Sequence, residues 1–104
     1  MRQSQNEVLH HIDEQIERLK NAAETEAAEL RRTQQAAAEA RIAYRASPTD
    51  VTERPMWKAS MTADMQFENV RSADEAVKIG LAAREFIIAA LGEAEREERR
   101  GRIA

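Results

Sequence analysis

Apolar residues recur at three- and four-residue steps over residues 3–46, a stretch that contains neither glycine nor proline. This spacing places side chains on one face of an α-helix. Glu26 and Thr33 fall on the same face as polar interruptions. We predict one long helix here, on the order of 60 Å in length. Its heptad seam contains Leu9, Ile12, Ile16, Leu19, Ala23, Leu30, Ala37, Ala40 and Tyr44.

Pro48 and Pro55 end this pattern, because each restricts the residue before it to non-helical backbone. We therefore predict a linker over residues 47–55 and a second helix over about residues 56–100. Pro55 can serve as the first helical residue, where its missing N–H group costs no hydrogen bond. Ser72-Ala73-Asp74-Glu75 has the form of a capping box. One continuous helix and a kink or new start near residues 70–72 both remain open.

The most apolar part of the second helix is residues 76–91, where Lys78 and Glu85 form one narrow polar stripe. The remaining circumference is apolar on two sides, and a single packed helix covers only one of them. The side predicted to form the hairpin core, with its counterparts on the first helix, comprises Leu9, Ile12, Ile16, Leu19, Val77, Leu81, Ile88 and Leu91. The side predicted to be an oligomer interface comprises Ile79, Ala83, Phe86, Ile87 and Ala90.

Glycine and proline together account for only five of the 104 residues, and aromatic residues for 4%. This composition favours an all-α chain with a thin core. We predict a single domain over residues 1–104, a long antiparallel, coiled-coil-like hairpin in which residue i lies opposite residue 102 − i. Association into a dimeric four-helix bundle or a larger ring would bury the second apolar side.

Charge and cysteine content exclude several classes of function. The 16 basic and 19 acidic residues are mixed along the chain, which disfavours a broad basic surface for nucleic acid. Without cysteine there is no disulfide, thiolate nucleophile or thiolate metal site. No apolar run is long enough to span a membrane, and the first residues lack the apolar core of a signal peptide. We expect a cytoplasmic protein without membrane contact.

Glu7 and His10 have the Glu-x-x-His spacing used by carboxylate-bridged iron sites in helical bundles. The predicted inward face leaves Glu7, His10, His11 and Glu14 in solvent, and the second helix has no matching motif. We therefore predict a surface histidine pair, and neither a metal nor a cofactor. No glycine-rich phosphate loop and no combination of serine, histidine and acid on one face indicates an enzyme.

Arg84 falls within the apolar arc of the second helix and needs a partner or a route to water. In the predicted register, Glu17 and Glu14 lie within about a turn of it. We predict a buried ion pair between Arg84 and Glu17 or Glu14 that fixes the register. A phosphate or carboxylate ligand between the helices and simple snorkelling to water are the alternatives.

Two further clusters lie at the ends of the hairpin. Near the linker, aromatic and methionine side chains could close the hairpin as core or form a partner surface, since such residues are enriched at binding sites; they are Tyr44, Met56, Trp57, Met61 and Met65. Near the C-terminal end, arginines alternate with glutamates, which favours a solvated helix over nucleic-acid contact. The possible nucleic-acid residues are Arg96, Arg99, Arg100 and Arg102.

Three resemblances bear on function without identifying a family. Trp57-Lys58-Ala59 resembles the Trp-x-Gly turn of helical hairpins exported by type VII secretion, with alanine in place of glycine. The long hairpin is similar in architecture to the oligomeric core of phage small terminase subunits. Ile12-Asp13-Glu14-Gln15-Ile16 looks like the start of the long helix of helical chorismate mutases, but the arginine set of such a site is not evident.

These observations favour a non-enzymatic, oligomerising adaptor or assembly protein that acts through protein–protein contacts. The first alternative is a phage-type DNA-packaging ring subunit that binds nucleic acid weakly. The second is a small secreted or chaperone-bound hairpin of the type VII kind, whose apolar side is covered by a different protein.

Overall fold

The computed structural model of the chain describes residues 2–103, with the side chains of residues 4–102. Two helices, α1 (Arg2–Ala46) and α2 (Asp50–Ile103), fold back on each other, and the hairpin measures 83 × 17 × 13 Å along its principal axes. The predicted all-α antiparallel hairpin is thus confirmed. Helix α2 runs unbroken through residues 70–72, so it does not start anew there.

The connection between the helices is shorter than predicted, because α2 begins at Asp50 and not near Met56. Thr49 and Thr52 cap its first turn: the Thr49 backbone N–H donates to Thr52 Oγ1 at 3.1 Å, and the Glu53 N–H donates to the Thr49 carbonyl at 2.9 Å. Asp50 and Glu53 add negative charge where the helix dipole favours it. Pro55 consequently lies inside the helix, and the predicted linker over residues 47–55 is wrong.

The shorter loop changes the register of the hairpin. Gly80 of α2 packs on Ile16 of α1, and Arg84 pairs with Asp13. Residue i of α1 therefore lies opposite approximately residue 96 − i, whereas a loop centred near Val51 had predicted 102 − i. The difference of six residues follows from the loop, because the first turns of α2 had been assigned to the linker.

The inner face of α1 is the predicted one: each residue of its seam is buried or half-buried, including the polar interruptions Glu26 and Thr33. The core that this face builds is thin. Among the described residues, the apolar side chains classed as buried are Ile16 and Ala37, which expose 6% and 2% of their surface. A hairpin with so few buried side chains gains little stability from burial alone.

The inner face of α2 is the predicted one only in part: Val77 and Leu91 lie on it half-buried, but most of it is lined by small or polar residues. Leu81 and Ile88, predicted in the core, lie at its edge and expose 41% and 39% of their surface. Ile87, predicted at the oligomer interface, instead lies half-buried on the side of α1. Between residues 59 and 91, the inner seam of α2 follows three- and four-residue steps through Ala59, Ala63, Gln66, Val70, Ala73, Val77, Gly80, Arg84, Ile87 and Leu91, all buried or half-buried.

A polar contact joins the helices near the middle of the hairpin. The buried Gln66 amide donates through Nε2 to the backbone carbonyl of Glu26 at 3.0 Å, and also to the Glu26 carboxylate. Asn69 donates to Gln66 Oε1 at 3.2 Å. Because a buried amide left without partners costs free energy, this contact favours the observed register over shifted ones.

Gly80 marks a close approach of the two helices, and it yields a testable prediction. A Cβ atom at Gly80 would lie 3.2 Å from Leu19 Cδ1 and 3.5 Å from Ile16 Cγ1, whereas one at Gly92 meets nothing within 4 Å. We expect Gly80→Leu to lower the free energy of unfolding by about 1–2 kcal/mol, since the added side chain separates the helices. The matched variant Gly92→Leu should raise it by up to about 1 kcal/mol through helix propensity. Urea unfolding at equal chain concentration measures both, and equal effects would contradict the observed register.

Candidate interaction surface

The outward side of α2 carries a row of large apolar side chains that the hairpin leaves uncovered. Five of them expose more than half of their surface: Trp57 59%, Met61 61%, Met65 69%, Ile79 62% and Phe86 75%. Ala83 and Ala90 are exposed on the same side. We call these seven residues the outer row. Exposed large apolar residues that align along one helix face, unlike scattered ones, are typical of interaction sites.

The members of the outer row lie along one side of α2, because three- and four-residue steps connect them. Between Met65 and Ile79 the steps pass through the polar residues Glu68, Ser72 and Glu75, all of which are exposed. The row thus has two apolar blocks, Trp57 to Met65 and Ile79 to Ala90, with a polar centre between them. Its straight course requires an unbroken α2, as observed.

The structure divides the predicted aromatic and methionine cluster into two sets. Trp57, Met61 and Met65 point outward, so they do not close the end of the hairpin as core. Tyr44 and Met56 are half-buried on the inner faces of their helices. Four residues of the predicted oligomer interface are exposed: Ile79, Ala83, Phe86 and Ala90. The fifth, Ile87, is half-buried on the inner side of α2 and does not belong to the outer row.

Arg84 forms an ion pair with Asp13, and not with the predicted Glu17 or Glu14. Its Nε lies 2.5 Å from Asp13 Oδ1. The hydrogen bond from Arg84 lowers the pKa of Asp13 below its ordinary value, and the same bond raises the pKa of Arg84. The pair is not buried, since the Asp13 side chain is half exposed. The pair lies at the edge of the contact between the helices. In the observed register, residue 84 faces the turn of α1 that contains Asp13, so Asp13 is the nearest acidic residue.

This ion pair gives a prediction for the pH dependence of stability. The pKa of Asp13 is lower in the folded state than its ordinary value of 3.8. The ion pair therefore stabilises the hairpin at pH values above 3.8, and this stabilisation is lost as the pH falls through the pKa of Asp13 in the folded state. We expect Asp13→Asn to lower the Tm slightly at pH 7, since exposed pairs contribute little. Glu17→Gln, at the rejected position, serves as the control and should leave the Tm unchanged. Thermal unfolding followed by circular dichroism in steps from pH 7 downward tests this, and a difference that does not shrink as the pH falls below 3.8 would contradict the assignment.

The histidine pair near the N-terminal end lies in solvent, as predicted. His10 Nε2 is 3.0 Å from Glu14 Oε1, one turn along α1, and both side chains are largely exposed. Glu7 and His11 are exposed as well. Among the residues that the structure describes, no group of three or more histidine, aspartate or glutamate side chains is arranged to hold a metal ion.

The arginines near the C-terminal end of α2 are interleaved with glutamates of the same helix. Arg99 Nη2 lies 3.3 Å from Glu95 Oε1, and Arg102 Nη2 lies 2.9 Å from Glu98 Oε1. Arg96 and Arg100 are exposed on the same segment. Intrahelical pairs of this kind support a solvated helix and weaken its positive field. Contact with nucleic acid at these arginines stays a prediction.

Over residues 2–103, neither helix is apolar along enough of its length to cross a lipid bilayer. No protein-family model matches the chain, and neither a curated protein nor a solved structure matches it. Function must therefore be argued from the surface that the hairpin presents.

Proposed function

We propose that this protein is a non-enzymatic adaptor or assembly subunit that associates with further copies of itself through the outer row of α2. The observation that carries the proposal is the exposure of Ile79 and Phe86, which leave 62% and 75% of their surface in water on a helix already packed on its other side. Transfer of such side chains from water to an apolar contact is worth about 1.5–3 kcal/mol each. Self-association removes that exposure.

The thin core of the hairpin supports the same proposal. With Ile16 and Ala37 as the buried apolar side chains of the described part, the two helices hold each other through small residues and half-buried contacts. A contact at the outer row, on the side of α2 opposite α1, would add a second layer of buried apolar side chains and so compensate for the thin core. A second copy supplies identical apolar surface, so both hairpins gain stability from one contact. Cytoplasmic residence remains the expected location.

Light scattering of the purified protein tests the proposal. The chain mass is 11.8 kDa, so a dimer has twice that mass and a ring a higher multiple. We expect a mass above that of one chain, and a Tm that rises with protein concentration because dissociation accompanies unfolding. A stable monomer of 11.8 kDa at high concentration would refute the proposal.

Two other outcomes would favour the alternatives. A monomer that becomes stable only with a different co-purified protein would favour the secreted or chaperone-bound hairpin. An oligomer that binds DNA with an affinity falling steeply with salt would favour the packaging ring, because that dependence reports phosphate contacts by arginine. The residues to test in that case are Arg96, Arg99, Arg100 and Arg102.

A further inference from the structure

The first apolar block of the outer row contains two methionines whose side chains face water. Met61 and Met65 expose 61% and 69% of their surface. They lie one turn apart on the same side of α2, because four residues separate them. Met56, in contrast, is half-buried on the inner face of the same helix. The hairpin therefore presents two thioethers side by side to solvent and shields a third.

Among the described residues, Met61 and Met65 are the side chains most open to oxidation by a hydroperoxide. The chain contains no cysteine, so no thiol competes for the oxidant. A lone pair of the thioether sulfur attacks one peroxide oxygen, and the O–O bond breaks as the S–O bond of a sulfoxide forms. The proton of the transferred oxygen passes to the leaving oxygen, which departs as water or an alcohol. Sulfur is oxidised by two electrons, and the peroxide is reduced by two.

Oxidation would change the outer row without changing the contact between the helices. A sulfoxide is polar and chiral, whereas the thioether that it replaces is flexible and apolar. With both methionines oxidised, Trp57 would be the one large apolar side chain left in the first block. The buried side chains of Ile16 and Gln66 belong to the inner faces of the helices, away from this block. The hairpin should therefore stay folded.

We propose that oxidation of Met61 and Met65 by a hydroperoxide is a reversible switch that weakens self-association through the outer row. This regulation rests on the proposed function, and it requires only that the first block lie in the contact. Association covers the two thioethers, so oxidation takes place on dissociated chains and keeps them apart. A thiol-dependent reductase reverses the step: two thiols become a disulfide, and the sulfoxide oxygen leaves as water.

Mass spectrometry and light scattering of the full chain test the switch. The protein is diluted until it dissociates, treated with dilute hydrogen peroxide, freed of peroxide and concentrated again. Peptide mass spectrometry should show that Met61 and Met65 oxidise at least about twice as fast as Met56, in keeping with their exposure. The dissociation constant should rise at least about tenfold, with unchanged helix content in circular dichroism. Methionine sulfoxide reductase and a thiol should restore the original constant.

Two leucine variants locate the effect. The variant with Met61→Leu and Met65→Leu keeps the first block apolar but leaves no sulfur there to oxidise. It should associate as the native chain does and keep its dissociation constant after peroxide treatment. Met56→Leu removes the half-buried sulfur instead, and its association should still be weakened by peroxide. Both variants retain Trp57, so they also control for oxidation of the indole.

Other results would overturn the switch. If Met56 oxidises as fast as Met61 and Met65, their exposure does not control the reaction. If both methionines are oxidised and the dissociation constant does not change, or if the double leucine variant also dissociates, the switch does not lie at these residues. Self-association would survive each of these results. A native chain that is a monomer of 11.8 kDa before any oxidation would instead refute the proposed function, and the switch with it.

Discussion

The variant carrying Ile79→Glu and Phe86→Glu should be a monomer under conditions in which the native chain associates. These side chains are the most exposed large residues of the second block of the outer row. Each two-fold contact would place four new carboxylates in an apolar interface, and burying an unpaired carboxylate costs several kcal/mol. We expect dissociation to be favoured by at least about a hundredfold. Light scattering over a range of concentrations gives the dissociation constant directly.

A matched control uses exposed aliphatic residues away from the outer row. Ile42 on α1 and Val51 at the start of α2 expose 64% and 82% of their surface. The variant with Ile42→Glu and Val51→Glu carries the same change in charge and also removes two exposed apolar side chains. Its mass should equal that of the native protein. If both variants dissociate, general charge repulsion and not the outer row accounts for the loss. If neither does, the proposed interface is wrong.

Periodicity predicted the architecture and the inner face of α1, but the inner face of α2 only in part. On α1, the bulky residues and the seam coincide, so Leu9, Ile12 and Ile16 identify the inner face directly. On α2, many bulky residues lie off the seam, and alanine, Gly80 and Gln66 occupy much of it. Assigning the core by side-chain size therefore placed Leu81 and Ile88 inside. Small residues form the contact because they let the backbones approach closely.

The difference between the predicted and the observed register arises at the loop, where two local signals for the start of α2 compete. The sequence predicts Pro55 as the first residue of a helix, whereas in the structure it is the sixth residue of α2, where a proline removes one hydrogen bond and crowds the carbonyl four residues before it. The earlier signal was Thr49 before Asp50 and Glu53, a capping residue followed by acidic residues in the first turn. A start at Asp50 moves the partner of Arg84 from Glu17 to Asp13. The sequence thus predicts that Arg84 forms an ion pair with an acidic residue of α1, but it does not predict which one.

The outer row was predicted only in part, as two separate features. The apolar excess of residues 76–91 indicated a second face, and Trp57 and Met61 indicated a possible partner surface. These two features form one surface only if α2 is straight and unbroken through Ser72. The sequence alone does not decide this, because Ser72 begins a stretch with the form of a capping box. Once α2 is continuous, both blocks lie on one side. Which distant residues share one side of a long helix depends on whether that helix is unbroken, and here only the structure shows this.

The stability of the hairpin should depend strongly on Ile16. This side chain exposes 6% of its surface and packs at the close approach to Gly80. We expect Ile16→Ala to lower the free energy of unfolding by about 2–4 kcal/mol, through lost burial and the cavity left behind. Small domains have total stabilities of about 5–15 kcal/mol, so the loss should bring a thin-cored hairpin close to unfolding. Urea unfolding at equal chain concentration measures the change.

Two further variants show whether the loss of stability comes from the burial of Ile16. Ile42→Ala makes the same chemical change at an exposed position of α1, and it should be neutral or slightly stabilising because alanine favours the helix. Ile88→Ala distinguishes the predicted inner face of α2 from the observed one, since Ile88 is core in the first but lies at the edge in the second. A cost well below that of Ile16→Ala supports the observed inner face. An equal cost would mean that α2 turns its bulky residues toward α1, and the outer row would then have to be redrawn.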